Sequence, residues 1–101
     1  CLVFHFTGQL DAYSEKQFME YVVDVLKASK LPAVIDLSKI DFLDSSGLGA
    51  LVQLAKQCTD AKRAFSLVGN SRVMQTVKLV RLEEFLHLAQ DLPSALSNLA
   101  A

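Results

Sequence analysis

Asp41-Phe42-Leu43-Asp44-Ser45-Ser46-Gly47-Leu48-Gly49 lies near the middle of the chain, between a short apolar segment and an amphipathic one. Downstream, Leu48, Leu51, Val52, Ala55 and Cys58 recur at offsets of three and four, which predicts a helix running to about Thr59. Upstream, Ala33-Val34-Ile35-Asp36-Leu37 follows a proline and is rich in β-branched residues, which predicts a strand. The stretch is therefore a strand-to-helix junction. Ser45 falls at the helix start, with its hydroxyl where an N-cap oxygen is wanted. Two glycines within the next four residues keep bulk away from that hydroxyl and leave it open to a large partner. Taken alone, Asp-Ser-Ser-Gly is most simply a helix cap, on Asp44 or on Ser45.

Upstream of the junction, Leu2, Phe4 and Phe6 alternate with Val3, His5 and Thr7, the pattern of a half-buried strand that Gly8 ends. Ser14 and Gln17 have capping-box spacing, and Tyr13 and Phe18 occupy staple positions around that cap. Phe18, Val22, Val25, Leu26 and Ser29 trace one face of the first helix, and Pro32 stops it. Downstream, Ala64–Val68 reads as a third strand and Gly69-Asn70 as a turn, with Ser71 capping a third helix. The inward stripe of that helix is Val73, Met74, Val77 and Val80. Leu86-His87-Leu88 reads as the core of a fourth strand, and Asp91 caps a last helix with Pro93 in its first turn. Four strands alternating with four helices predict a single α/β domain with a mainly parallel four-stranded sheet. His5, Ser66 and His87 stand opposite apolar neighbours, which suggests that one face of the sheet is less covered than the other.

Composition excludes several classes of function. A chain of 101 residues, 51% hydrophobic and 21% charged, is one globular domain with a modest core. Its net charge is −1, and its densest basic cluster is the pair Lys62-Arg63, so it lacks the footprint of direct nucleic-acid binding. No apolar run approaches the roughly 20 residues of a membrane span. Cys1-Leu2-Val3-Phe4 is not a signal peptide; it reads as a start inside a larger reading frame or a trimmed chain. Cys1 and Cys58 fit no metal or redox spacing and suit a reducing cytosol, Cys58 as a small apolar core residue.

Catalytic readings fare poorly. Ser45 lacks the Gly-x-Ser-x-Gly context of a nucleophile elbow, and His5 and His87 each alternate with large apolar residues, as sheet residues do. No phosphate-binding Gly-x-x-x-x-Gly-Lys-Ser/Thr is present. Asp36, Asp41 and Asp44 suggest a magnesium site, but Lys62 and Lys78 are poorly placed to complete one. The expectation is no enzyme, no cofactor and no metal.

Asp36-Leu37-Ser38 together with Phe42–Gly49 closely resembles the phosphoacceptor segment of the anti-sigma factor antagonists, founding members of the STAS domain family. Gly8-Gln9-Leu10-Asp11 is similar to the Gly-x-Leu-Asp that ends an early strand in that family. The resemblance implies a STAS domain over residues 1–101, its β-α turns wound as a superhelix, lacking the additional N-terminal strand relatives usually have. It implies that Ser45 accepts phosphate from a partner that is both a serine kinase and an anti-sigma factor, and that a separate serine phosphatase removes it. Unphosphorylated, such a cytoplasmic domain binds the kinase and releases the sigma factor. Asp11, Asp44, Ser46, Leu48 and Gly49 would then belong to the docking surface, although Asp11 reads equally well as a turn or cap residue. The same family includes STAS modules of transport systems, fused to a membrane transporter or bound to a transporter ATPase, with a structural or regulatory role. One departure is visible. Relatives commonly close the third helix with Gly-Leu, whereas this chain has Arg81-Leu82, so that helix is expected to run on or end differently.

Overall fold

The computed structural model describes residues 1–100. Its elements in chain order are β1 (Leu2–Leu10), α1 (Glu15–Lys27), β2 (Ala33–Leu43), α2 (Ser45–Asp60), β3 (Phe65–Gly69), α3 (Ser71–Leu79), β4 (Leu88–Ala89) and α4 (Leu92–Ala100). The strands pair in the order β1-β2-β3-β4, all parallel, giving the α/β domain that the alternation predicts. Period-two alternation divides the core between the faces of the sheet. Phe4, Ile35, Leu37, Phe65 and Leu67 pack on one side with Phe18 and Val22 of α1, Leu51 and Leu54 of α2, and Val73 and Val77 of α3. Val34 and Val68 pack on the other side with Ala95 of α4. α4 covers β2 and β3 and leaves His5 and Thr7 of β1 exposed. The second face is thus the barer one.

Both early strands outrun their expected ends. Gly8 adopts φ +88° inside β1 and does not terminate it, and β2 continues from Leu37 to Leu43. The reason is two bulges. His5 pairs with Asp36 and Thr7 with Lys39; Gly8 pairs with Ile40 and Gln9 with Phe42, so β2 carries an extra residue at each irregularity. Each insertion restores the inward direction one residue late, and the buried positions become Leu37, Ile40 and Leu43. Beyond the last β3 pair, Leu37 with Gly69, the Asn70 side-chain amide takes over, donating to the carbonyls of Ser38 (3.2 Å) and Ile40 (2.7 Å).

Several expected helix ends are corrected. Asn70, not Ser71, caps α3: its backbone is extended and its Oδ1 accepts the Val73 N–H at 2.9 Å. Val80 is the C-cap and half-exposed, so it leaves the inward stripe. Arg81 does not make α3 run on. It takes the left-handed conformation itself, at φ +60°, with Arg81 N–H on Lys78 O and Leu82 N–H on Val77 O, the pattern of a glycine-closed Schellman motif. Lys62 (φ +56°) closes α2 in the same way. His87 (φ +51°) closes a single turn over residues 83–86, so it precedes β4, and Leu86 packs in the core from that turn. Ser66 is buried rather than facing solvent, and its hydroxyl donates to His87 O at 2.9 Å. Asp91 caps α4 as expected, accepting the Ser94 N–H at 2.8 Å.

Candidate functional site

The carboxyl ends of β1 and β2 lie side by side, with Leu10 opposite Leu43, and each delivers the chain into the start of a helix. The two starts are fastened together. Asp44 has the extended backbone of an N-cap, and its Oδ1 accepts the Gly47 N–H at 2.9 Å. Its Oδ2 accepts the Ala12 N–H at 3.2 Å from the loop before α1, and its own N–H donates to Leu10 O at 3.3 Å. Asp44 is therefore the cap of α2, and Ser45 is the first helical residue. The hydroxyl of Ser45 is not the N-cap oxygen, which corrects the expectation drawn from spacing.

The two glycines of the motif divide the work differently from the sequence reading. Gly47 is buried, and a Cβ there would enter the Leu10 carbonyl, with Leu10 C and Cγ each at 2.9 Å. It lets α2 start directly against the end of β1. Gly49 is exposed, with nothing within 4 Å of an added Cβ. At four residues beyond Ser45 it lies one helical turn away on the same face, so it alone clears that side of the hydroxyl.

The loop before α1 is also rebuilt relative to expectation. Ser14 makes no side-chain cap bond; its hydroxyl donates to Gln9 O (2.9 Å) and accepts the Asp11 N–H (3.0 Å). Asp11 holds the turn that leads into α1 instead. Its Oδ1 accepts the N–H groups of Tyr13 (3.0 Å) and Ser14 (3.1 Å), and its carbonyl accepts those of Ser14 and Glu15. Tyr13 does not staple onto Phe18, because it is 95% exposed.

The residues expected at the site thus separate by environment. Ser45 and Gly49 are exposed, and Asp11, Asp44, Ser46 and Leu48 are half-buried, with Leu48 packed against the larger core cluster. The structure joins the Asp11 loop to Asp44 through the backbone of Ala12; no bond links the two carboxylates directly. The fastening role of Ala12 and Leu10 has no signal in the sequence, because it runs through their backbone N–H and carbonyl groups.

Elsewhere, side-chain chemistry is confined. On the barer sheet face, His5 Nδ1 donates to Asp36 Oδ2 at 2.8 Å, and Ser38 N–H donates to Asp36 Oδ1 at 2.9 Å. Burial raises the Asp36 carboxyl, but the bonds from Ser38 and His5 outweigh it and hold the group below its ordinary value. Burial pushes the Cys58 thiol up, with Arg63 opposing, so it remains a protonated core residue. Among the described residues, no three His, Cys, Asp or Glu side chains are grouped to hold a metal ion, and no helix is long and apolar enough to cross a membrane.

Residues 1–95 match the STAS domain family. The chain belongs to that family. STAS folds of known structure superpose closely on it. An anti-sigma factor antagonist from Mycobacterium paratuberculosis matches with a TM-score of 0.86 at 24% identity, over 98% of this chain and 85% of that one. A sulfate transporter family protein from Wolinella succinogenes gives 0.81 at 16% identity, over 98% and 84% respectively. The murine Slc26a9 anion transporter gives 0.82 at 16% identity over 97% of this chain, which spans 17% of that transporter. At these identities the likeness establishes a shared STAS fold and nothing finer.

Proposed function

We propose that this domain is an anti-sigma factor antagonist-like regulator in the cytoplasm. It has no catalytic activity of its own, and it is controlled by phosphorylation of Ser45. The observation that carries the reading is the division of labour at the start of α2. Asp44 supplies the cap oxygen, so the exposed Ser45 hydroxyl has no structural duty and is free for another protein's active site. A phosphate there adds about −1.5 to −2 charges. It faces first-turn N–H groups without intrahelical partners, worth about 0.3–1 kcal/mol at an exposed N-terminus, with Asp44 opposing. On a docking surface the same charge costs several kcal/mol when it meets unpaired like charge. The switch therefore acts on binding and spares the fold. The partners in this reading are an anti-sigma factor that is also a serine kinase, and a serine phosphatase. Asp11, Asp44, Ser46, Leu48 and Gly49 form or support the contact surface.

The test uses each anti-sigma serine kinase encoded in the same genome, purified singly, with ATP and phosphopeptide mapping. Label on Ser45 is expected; label on Ser46 or Ser38 refutes the assignment. Because Ser45 is not the cap, Ser45→Ala should change stability by less than about 0.5 kcal/mol. It should keep kinase binding, while Ser45→Asp folds normally and binds more weakly. A second reading, a STAS module serving a transport system, is favoured by the comparable superposition on two transporter proteins. Transporter genes beside this one, and retention by a purified transporter component, would support it over the first.

A further inference from the structure

Tyr13 has no role in the folded domain that its side chain explains. It is 95% exposed, the most exposed of the large hydrophobic residues, and it stands on the loop whose next-door backbone N–H, that of Ala12, is bonded to Asp44 beside Ser45. The loop is not slack. Asp11 Oδ1 holds the Tyr13 and Ser14 N–H groups, and Ser14 Oγ ties back to Gln9 O. A large ring is thus held out into solvent on a fixed backbone, bonded to the same aspartate that starts the serine-bearing helix. Its polar neighbours are spent: both oxygens of Asp44 and one of Asp11 already accept backbone N–H groups. Phe42, three residues before Ser45 and paired with Gln9, adds a second exposed ring at this end of the sheet.

The geometry points to Tyr13 as the aromatic anchor by which the Ser45 kinase holds this domain. This rests on the reading of Ser45 as phosphoacceptor. A kinase that brings ATP to the Ser45 hydroxyl must cover the residues hydrogen-bonded to its immediate neighbour. Buried aromatic residues near the centre of such interfaces dominate affinity. The rigid loop adds to this, since a side chain already fixed on its backbone loses less freedom on docking.

The experiment titrates the same purified anti-sigma serine kinases calorimetrically against wild type, Tyr13→Ala, Tyr13→Phe and Leu79→Ala. Leu79 is the control: it is 85% exposed but lies at the far end of α3, whose start contacts the carboxyl end of β2. Tyr13→Ala should weaken binding between about tenfold and a hundredfold. Its melting temperature should be unchanged, Leu79→Ala should bind as wild type, and Tyr13→Phe should stay within about threefold. Nitration with tetranitromethane should modify Tyr13 in the free domain and be blocked in the complex. Wild-type binding matched within threefold by Tyr13→Ala, or Tyr13 nitrated equally in the complex, overturns the anchor while leaving the kinase reading intact. Failure of wild type to bind any of the kinases, or to be phosphorylated on Ser45, overturns both.

Discussion

Replacing Gly47 and Gly49 one at a time with alanine should move stability in opposite directions, although the two residues share a helix and a motif. On propensity alone each change stabilises by about 0.5–1 kcal/mol. At Gly47 the new methyl enters the Leu10 carbonyl and meets Leu10 C and Cγ at 2.9 Å. Backbone and a buried leucine cannot swing aside, so the start of α2 has to withdraw. Overpacking of this kind costs about 1–3 kcal/mol. Withdrawal also stretches the Asp44 N–H bond to Leu10 O, at 3.3 Å, and the Ala12 N–H bond to Asp44, at 3.2 Å. Each is worth about 0.5–1.5 kcal/mol. The net for Gly47→Ala is a loss of about 1–5.5 kcal/mol, or at least roughly 4 °C in melting temperature for a domain of this size. Gly49→Ala has no such neighbour within 4 Å and should gain the full propensity term. Urea unfolding of both variants, with m unchanged, measures the contrast. If Gly47→Ala is as stable as wild type, or both shifts share a sign, the close approach of α2 to β1 is not what holds the site.

Two further tests address other parts of the fold. Arg81→Gly should stabilise by about 0.5–1 kcal/mol in denaturant, because it relieves a left-handed arginine at φ +60°; no gain would mean that the closing motif bears no strain. Asp36 has its folded pKa below the ordinary 3.8, so its contribution is fully present above that value and is lost as pH falls through the folded pKa. The stability gap between wild type and Asp36→Asn should therefore be widest near neutrality and shrink as pH drops below about 4; a gap independent of pH would refute the assigned bonds to Ser38 and His5.

The alternation of strands and helices, and the parallel sheet it implies, were legible because most segments keep a clean period of two or of three to four. The eleven-residue β2 was not. Leu37, Ile40 and Leu43 recur every third residue, and only the pairing with β1 reveals that each extra residue is a bulge. Caps are ambiguous wherever two competent residues adjoin: Asp44 beside Ser45, where both stayed open, and Asn70 beside Ser71, where Ser71 was expected. Composition cannot choose between such neighbours; the extended backbone of the first one does. Ser14 was misread for a related reason. Its spacing to Gln17 suits a capping box, but its hydroxyl is engaged with Gln9 O and the Asp11 N–H, and its own N–H with Asp11 Oδ1. The left-handed Lys62 and His87 carry no signal because glycine is the usual mark of such an ending, and at Arg81 the missing glycine pointed to a different ending where the same one forms.

The strand order carries a consequence for the kind of ligand this domain can take. In open α/β sheets whose order doubles back, adjacent loops part at the reversal, and small molecules settle in the crevice that opens there. This sheet runs β1-β2-β3-β4 without ever doubling back, so it has no topological switch point. At the carboxyl end the α2 start is drawn onto Leu10 and the loop before α1 is drawn onto Asp44. Ser45 and the Tyr13 ring stand exposed at this end, the two features that the proposed partner contact would use.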